Sequence, residues 1–189
     1  MKRQTPWVVA LLFVLAATGV AFSDEGGRKF KEFLNGFKEA AAVVSTTGTG
    51  TFSAEISKDG SEINYTLTFS DLEGDVRQAH IHIGHPQNSG GIVLWLCDSA
   101  TNPSPTANTP ECTANDPADL HNGTVSGTLT EADVQAQAAN GIAAGEFEEV
   151  VRLIRAGRTY ANLHTSKFPP GEIRSQIDNR DEGDHSGHR

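Results

Sequence analysis

Apolar and polar side chains alternate with a period of two through much of the chain, which is typical of β-strands with one face in a core. The alternation is clearest in two neighbouring segments, 52–56 and 63–69, where every second residue is apolar. Between them, residues 58–61 have the turn sequence Lys-Asp-Gly-Ser. We therefore predict a β-hairpin here, because strand-like runs on either side of such a turn pair with each other.

Other segments extend this pattern into a fold class. Strand-like composition between turn residues recurs at 79–83, 92–97, 123–129, 160–165 and 172–178. Segment 30–37 suits either a strand or a helix, and short helices are predicted from Thr130 and over 146–155. The pattern predicts an all-β fold: an antiparallel β-sandwich, Greek-key and immunoglobulin-like or superoxide-dismutase-like, with two short helices late in the chain.

The first residues of the chain have the composition of a leader. Two basic residues precede an apolar run at 7–17, which is shorter than the ~20 residues that span a bilayer. We predict a signal peptide over 1–23, cut after Ala21 or Ser23, with an uncleaved N-terminal anchor as the alternative.

The sequence after the predicted leader indicates one folded domain followed by a tail. The strand pattern covers 30–178, and 179–189 is charged and lacks apolar residues, so we expect the tail to be disordered. No other stretch is apolar enough to cross a membrane. We therefore expect a secreted or periplasmic protein without a transmembrane segment after leader removal.

Acidic residues outnumber basic ones. The full chain has a formal net charge of −9, and removing the leader with its two basic residues leaves −11, from 13 basic and 24 acidic residues. This excess argues against nucleic acid or an anionic membrane surface as a partner. It is compatible with attraction of cations, although charge runs of this kind commonly serve solvation alone.

The chain has two cysteines, Cys97 and Cys112. In an exported protein an even number of cysteines favours a disulfide. The bridge would close the segment 98–111, which is rich in Ser, Thr, Asn and Pro and has no apolar periodicity. A site combining cysteine and histidine ligands is less favoured, because the pair lacks the C-x-x-C spacing of zinc sites.

The histidines suggest the main candidate chemistry. His80 and His82 are two residues apart within an apolar strand, so their side chains lie on the same face. The same parity places Tyr160, Asn162 and His164 on one face of their strand. The last strand presents its polar side chains, Glu172, Arg174 and Gln176, together. If these three strands are neighbours, we expect the polar side chains to form one patch.

This patch could hold a metal ion. We predict a zinc or copper site formed by His80, His82 and His164, with Glu172 as a fourth ligand or as an acceptor that orients an imidazole. The alternative is a solvated strand face on which the histidines only hydrogen-bond to neighbouring carboxylates and backbone, and on which Glu172 and Arg174 pair with them or with each other.

The other histidines are weaker candidates. His85 is predicted on a loop, and we expect His121, His185 and His188 to be exposed. The last two could bind a metal loosely, as histidine-bearing tails do.

Six segments of the chain resemble the CHRD domain, a family named after chordin. The first signature is similar to 79–84 (Ala-His-Ile-His-Ile-Gly) and 91–94 (Gly-Ile-Val-Leu), and the start of the family to 34–39 (Leu-Asn-Gly-Phe-Lys-Glu) and 48–52. The closing signature resembles 157–165 (Gly-Arg-Thr-Tyr-Ala-Asn-Leu-His-Thr) and 170–177 (Pro-Gly-Glu-Ile-Arg-Ser-Gln-Ile). The resemblance covers roughly 30–178.

The chain departs from the family pattern in two places. Alanines at 40–42 stand where the family has prolines after its acidic residue, here Glu39, and Ser175 replaces a glycine of the closing signature. The resemblance implies an exported, β-rich module of poorly defined role. The histidine pattern is also similar to that of copper-zinc superoxide dismutases, but the bridging histidine and zinc loop are not recognisable, so no dismutase activity is predicted.

The sequence contains no recognisable catalytic set, so it favours a non-enzymatic module over an enzyme. We predict an exported CHRD-domain binding or structural module with an unknown protein or polymer as its ligand. The alternative is a divalent metal-binding protein with a three-histidine site and redox or hydrolytic activity.

Overall fold

Alternating side chains form eight β-strands in the computed structural model, which describes residues 29–113 and 115–178. The predicted signal peptide over 1–23 and the predicted disordered tail over 179–189 lie outside the described residues. The strands are β1 (Lys29–Asn35), β2 (Thr49–Ile56), β3 (Ile63–Ser70), β4 (Val76–Ile83), β5 (Ile92–Cys97), β6 (Gly123–Leu129), β7 (Thr159–Thr165) and β8 (Ile173–Ile177). A single α-helix, α1 (Phe147–Arg155), is found among the described residues.

The strands form one antiparallel sheet in the order β5-β4-β7-β8-β1-β2-β3-β6. The sheet curves into a nearly closed cylinder, because β3 and β6 at one end approach β5 at the other. The Tyr65 hydroxyl on β3 donates a hydrogen bond to the Leu96 carbonyl of β5 at 2.5 Å. The all-β, antiparallel prediction is confirmed. The division into two sheets that defines a sandwich is not, because hydrogen bonds connect all eight strands.

Three elements correct or complete the predicted pattern. The segment that suited either a strand or a helix is β1, with Phe30 and Leu34 buried in the core. The first predicted helix is only a 3-10 turn over Glu131–Asp133. It ends there because the Gln135 N–H donates to the Val93 carbonyl of β5, at 2.9 Å, instead of continuing a helix. The second predicted helix is confirmed as α1.

The apolar side chains point into the cylinder, where α1 also buries one face. The predicted hairpin is confirmed as β2 and β3, which pair from Thr49 with Ser70 to Ile56 with Ile63. The helix contributes apolar side chains at helical spacing, namely Phe147, Val150, Val151 and Ile154. None of the described helices is long and apolar enough to cross a bilayer.

The cysteine pair is at disulfide distance, with 2.02 Å between the two sulfur atoms. Cys97 ends β5, and Cys112 follows the irregular segment 98–111. Both side chains are buried in the core. The predicted bridge is therefore supported, and it attaches a segment without regular structure to the edge of the sheet.

Three strands bring the two halves of the domain together. β7 pairs with β8 as a hairpin on one side and with β4 on the other. In this register Asn162 lies opposite both His80 and Arg174, while Tyr160 lies opposite both His82 and Gln176. Directly opposite residues of paired strands share a face. The predicted polar faces of the three strands therefore form one continuous surface on the outside of the cylinder.

Candidate functional site

Three histidines meet on this surface. His80 and His82 come from β4, and His164 comes from β7. One ligand nitrogen of each lies within 4.8 Å of those of the other two. All three side chains are buried, with exposed fractions of 0%, 6% and 7%. The sequence predicted this set, and the structure brings all three together.

The polar surface is covered rather than solvated, so the solvated strand face of the alternative is not found, whereas its hydrogen bonds from histidines to the backbone are. Segment 39–48 covers one side, where Glu39 hydrogen-bonds to Asn162 of β7 and Thr46 to Glu172, which immediately precedes β8. Segment 84–91 covers β4, β7 and β8, and the turn at 166–171 covers the end near His164. These covering segments lack the alternation that marks strands, so the sequence did not reveal them.

The hydrogen bonds of the imidazoles leave ring nitrogens free inside the cluster. His82 Nδ1 lies 2.9 Å from the Gly90 carbonyl oxygen, and His164 Nδ1 lies 2.9 Å from that of Pro169. A carbonyl can only accept, so both rings carry their proton on Nδ1 and a lone pair on Nε2. Both Nε2 atoms and both ring nitrogens of His80 are buried without a hydrogen-bond partner. Backbone carbonyls orient metal-binding histidines in this way.

Burial keeps these imidazoles neutral. It lowers the pKa of His80 from 6.5 to about 2, with further lowering by the nearby His164 and His82. It lowers the pKa of His82 to about 4, against the opposing effect of the hydrogen bond to Gly90. The pKa of His164 is also lowered by burial. Neutral imidazole is the form that binds a metal, so the cluster is ready to act as a ligand set at neutral pH.

Aromatic side chains pack against the histidine cluster. Trp95 of β5 meets His80 edge to face, with ring centroids 4.3 Å apart. Tyr160 stacks on His82 with parallel rings and centroids 4.8 Å apart. The Arg174 guanidinium lies 3.4 Å from the centre of the Tyr160 ring. The parity of β7 placed Tyr160 on the polar face with Asn162 and His164. Trp95 could not be placed beside His80 without the pairing of β4 with β5.

Glu172 lies apart from the histidine cluster. Its carboxylate accepts hydrogen bonds from the Thr46 hydroxyl at 2.6 Å, the Thr165 hydroxyl at 2.7 Å and the Glu73 backbone N–H at 2.7 Å. The side chain is fully buried. These contacts join three separate parts of the chain, and none of them is to an imidazole.

The carboxylate of Glu39 also belongs to the covered surface, although it was not among the site residues predicted from the sequence. Glu39 Oε1 accepts a hydrogen bond of 2.7 Å from Asn162 Nδ2. Burial raises the pKa of Glu39 to about 7, although the hydrogen bond from Asn162 and the charge of Arg174 lower it. Gly171, at φ +139°, leaves room for this contact, because a Cβ there would lie 2.7 Å from Glu39 Oε1. The signal for Glu39 was its place as the acidic residue of the family start.

Arg174 and Gln176, the other predicted members of the patch, hydrogen-bond to segment 84–91. Arg174 Nη2 donates to the carbonyl oxygens of His85 and Asn88, at 2.9 and 3.0 Å. Gln176 Nε2 donates to the carbonyl oxygens of Gly84 and Gly157, at 2.8 and 3.0 Å. The patch is therefore a layer of side chains under a covering segment.

The other histidines of the described residues are outside the cluster. His85 is exposed on segment 84–91, and its Nδ1 lies 3.4 Å from Arg158 Nη1. His121 is exposed, with Nδ1 2.6 Å from the Leu72 carbonyl oxygen. His185 and His188 lie outside the described residues.

Residues 30–177, which carry this whole cluster, match the CHRD domain. The chain belongs to the CHRD domain family. The resemblance seen in the sequence is thereby confirmed, and the CHRD match extends from β1 to β8, including all three clustered histidines. No curated protein matches the chain, and neither does any solved structure.

Proposed function

We propose that this CHRD domain binds one zinc or copper ion through Nε2 of His82, Nε2 of His164 and one ring nitrogen of His80. One observation carries the proposal: the three buried imidazoles converge with nitrogens that have no hydrogen-bond partner. A buried polar atom left without a partner costs about 1–3 kcal/mol. Coordination would give three such atoms a partner at once.

The donor set fits this class of metal. Imidazole is a borderline ligand that suits zinc and copper, whereas magnesium and calcium prefer oxygen. Nitrogens bound at about 2.1 Å in a tetrahedral site lie about 3.4 Å from one another. Since the ligand atoms are within 4.8 Å of one another, rotations that move the rings by about 1 Å suffice to meet one ion.

The surroundings support binding rather than catalysis. Bound zinc would supply a Lewis acid, and bound copper a one-electron redox centre. However, the imidazole hydrogen bonds go to the backbone carbonyls of Gly90 and Pro169, and no described serine, threonine or cysteine is hydrogen-bonded to these rings. A nucleophile activated by one of these histidines is therefore not in place.

We further propose that the metal site belongs to an exported, non-catalytic module. The bridge between Cys97 and Cys112 supports an oxidising compartment, since disulfides persist in secreted and periplasmic proteins. The signal peptide over 1–23 remains a prediction. So does a protein or polymer ligand for the module.

Metal binding is tested with the full mature chain, purified without a histidine tag. We expect the wild type to bind about one equivalent of zinc or copper with sub-micromolar Kd, because three ligand histidines are oriented in advance. The variant His80→Ala/His82→Ala/His164→Ala should bind at least about 100-fold more weakly, since even residues behind the ligands contribute 10–100-fold. Metal content and competition with a chromophoric chelator measure both quantities.

Matched controls separate the cluster from other histidines. His85→Ala/His121→Ala removes two exposed histidines, and His185→Ala/His188→Ala removes the pair near the C-terminus. Both variants should retain the wild-type affinity. Equal binding by the wild type and the triple variant, or a wild type that binds neither metal below micromolar, would contradict the proposal. Circular dichroism checks that the triple variant is folded.

A further inference from the structure

Segment 84–91, here called the strap, connects β4 to β5 and crosses the histidine cluster. Its residues 85–90 are exposed on their outer side. On its inner side the Gly90 N–H donates to the Tyr160 hydroxyl at 3.0 Å, and the Gly90 carbonyl oxygen faces His82 Nδ1 at 2.9 Å. One residue of the strap therefore contacts both a clustered histidine and the tyrosine that stacks on it.

Arg174 holds the middle of the strap in place. It is 2% exposed, and its guanidinium donates to two strap carbonyls, those of His85 and Asn88. The same guanidinium lies over the Tyr160 ring, which in turn stacks on His82. Arg174, Tyr160 and His82 therefore form a stack of three side chains beneath the strap.

The strap also approaches β4 closely. A Cβ built on Gly90 would lie 1.6 Å from the Ile83 carbonyl oxygen, so no other residue fits there without displacing the strap. This approach is what brings the Gly90 carbonyl to His82 Nδ1. The strap therefore helps to set the ring orientation and the proton position of His82.

The clustered Nε2 atoms are closed off from solvent. Those of His82 and His164 are buried, although small parts of both side chains reach the surface. Of the other covering segments, 39–48 is attached through buried Glu39, which accepts from Asn162, and through Thr46, which donates to buried Glu172. The turn at 166–171 is attached through the Ser166 N–H, which donates to the Asp75 carbonyl at 2.9 Å. The strap has backbone hydrogen bonds to the rest of the protein only at its two ends, Gly84 and Gly91, and between them it is held by side chains. Because residues 85–90 are exposed on the outside, this middle part can open without breaking a strand pairing.

We propose that the strap opens to admit and release the metal, and that Arg174 and the Tyr160 hydroxyl are positioning residues that keep it closed. This inference rests on the proposed metal site. Loss of either contact should speed metal exchange while the three ligands, and hence the stoichiometry, remain. A purely structural role of these residues would not change the exchange rate of a folded protein.

The two tyrosines of the chain provide a matched experiment. Tyr160→Phe removes the hydroxyl that accepts from Gly90 but keeps the ring between His82 and Arg174. Tyr65→Phe removes a buried hydroxyl that donates to the Leu96 carbonyl of β5 and not to the strap. The full chain is loaded with the zinc or copper salt that the wild type binds, and metal release into excess EDTA is followed by stopped flow. We expect Tyr160→Phe to release metal about 10–100-fold faster, in the range seen for residues that support metal ligands.

The outcomes separate the two proposals. Tyr65→Phe should release metal at the wild-type rate, and Arg174→Gln, where it folds, should match or exceed Tyr160→Phe. In the wild type, metal should also slow hydrogen exchange of the Gly90 amide, a readout that needs no variant. Wild-type release rates in Tyr160→Phe together with unchanged Gly90 exchange overturn the strap but leave the metal site intact. A wild type that binds neither metal overturns both.

Discussion

His82 shows how one residue is prepared by its surroundings. Its Nδ1 faces the Gly90 carbonyl, its ring lies flat on Tyr160, and its Nε2 is buried without a partner. Each contact restricts a different property: the position of the proton, the rotation of the ring and access to the lone pair. A histidine on a solvated strand face would have none of these restrictions. These restrictions are the ones expected of the metal ligand proposed above, because ligand histidines are oriented by a hydrogen bond on their other ring nitrogen.

Buried neutral histidines should make the metal-free protein sensitive to acid. The pKa of His82 falls from 6.5 to about 4 on folding, so between these values the unfolded state binds more protons than the folded state. Stability should therefore decrease as the pH falls below 6.5, by up to roughly 3 kcal/mol for this residue at about 1.4 kcal/mol per pKa unit. Urea unfolding in EDTA at pH 7 and pH 4.5 measures the change.

The variant His82→Gln provides the comparison. It should lose less stability between pH 7 and pH 4.5 than the wild type, and an equal loss would contradict the prediction. Glu39 acts in the opposite direction, because its pKa is raised from 4.5 to about 7 and its contribution is lost as the pH rises through that range. Glu39 is present in both the wild type and His82→Gln, so the difference between their losses of stability reports the effect of His82.

At the level of elements, the site depends on the pairing of three strands. β4 carries two of the histidines, β7 carries the third, and β8 carries the arginine and glutamine that hold the strap. A shift of one residue in the register of either pair would turn one set of polar side chains into the core. The hairpin turn at 166–171 limits such a shift, because the Pro169 carbonyl contacts His164 and Glu172 contacts Thr165.

The bridged segment provides a test at the same scale. Cys97→Ala/Cys112→Ala should lower the free energy of unfolding by about 3 kcal/mol, as expected for closing a loop of this length, while the metal stoichiometry stays unchanged. Denaturant unfolding measures the loss. Thiol titration of the denatured, unreduced wild type should find no free cysteine, and two reactive thiols would contradict the bridge.

For the whole molecule, the nearly closed sheet determines which distant residues meet. His80 and His82 belong to the first half of the domain and His164 to its last hairpin, so the cluster exists only when β4 and β7 are paired. An unfolded chain does not gather these ligands. The free energy of metal binding should therefore appear as folding stability.

This linkage predicts stabilisation by metal. At a free zinc or copper concentration of 100 times the Kd, the wild type should gain about 2.7 kcal/mol of stability. The variant His80→Ala/His82→Ala/His164→Ala should gain almost nothing. Thermal unfolding at increasing metal concentration measures the effect. A rise in Tm of similar size in both proteins would place the binding elsewhere, for example at the histidines near the C-terminus.

The strand content, the β2–β3 hairpin, the cysteine pair and the three clustered histidines could all be predicted from the sequence alone. These features depend on local properties: alternation along a strand, turn residues, spacing and side-chain parity. Parity in particular put His80 with His82 on one face, and the family signatures indicated that distant segments belong to one domain.

The burial of this polar face could be seen only in the folded structure. The segments that cover it, the strap and segment 39–48, have no periodicity that predicts where they lie. The tertiary structure also decided that Glu172 binds Thr46 and Thr165 while Glu39 pairs with Asn162, since those contacts depend on the path of the covering segments. The single curved sheet was likewise settled by strand pairings between distant parts of the chain. Long-range packing thus turned a row of polar side chains into an enclosed cluster of three histidines.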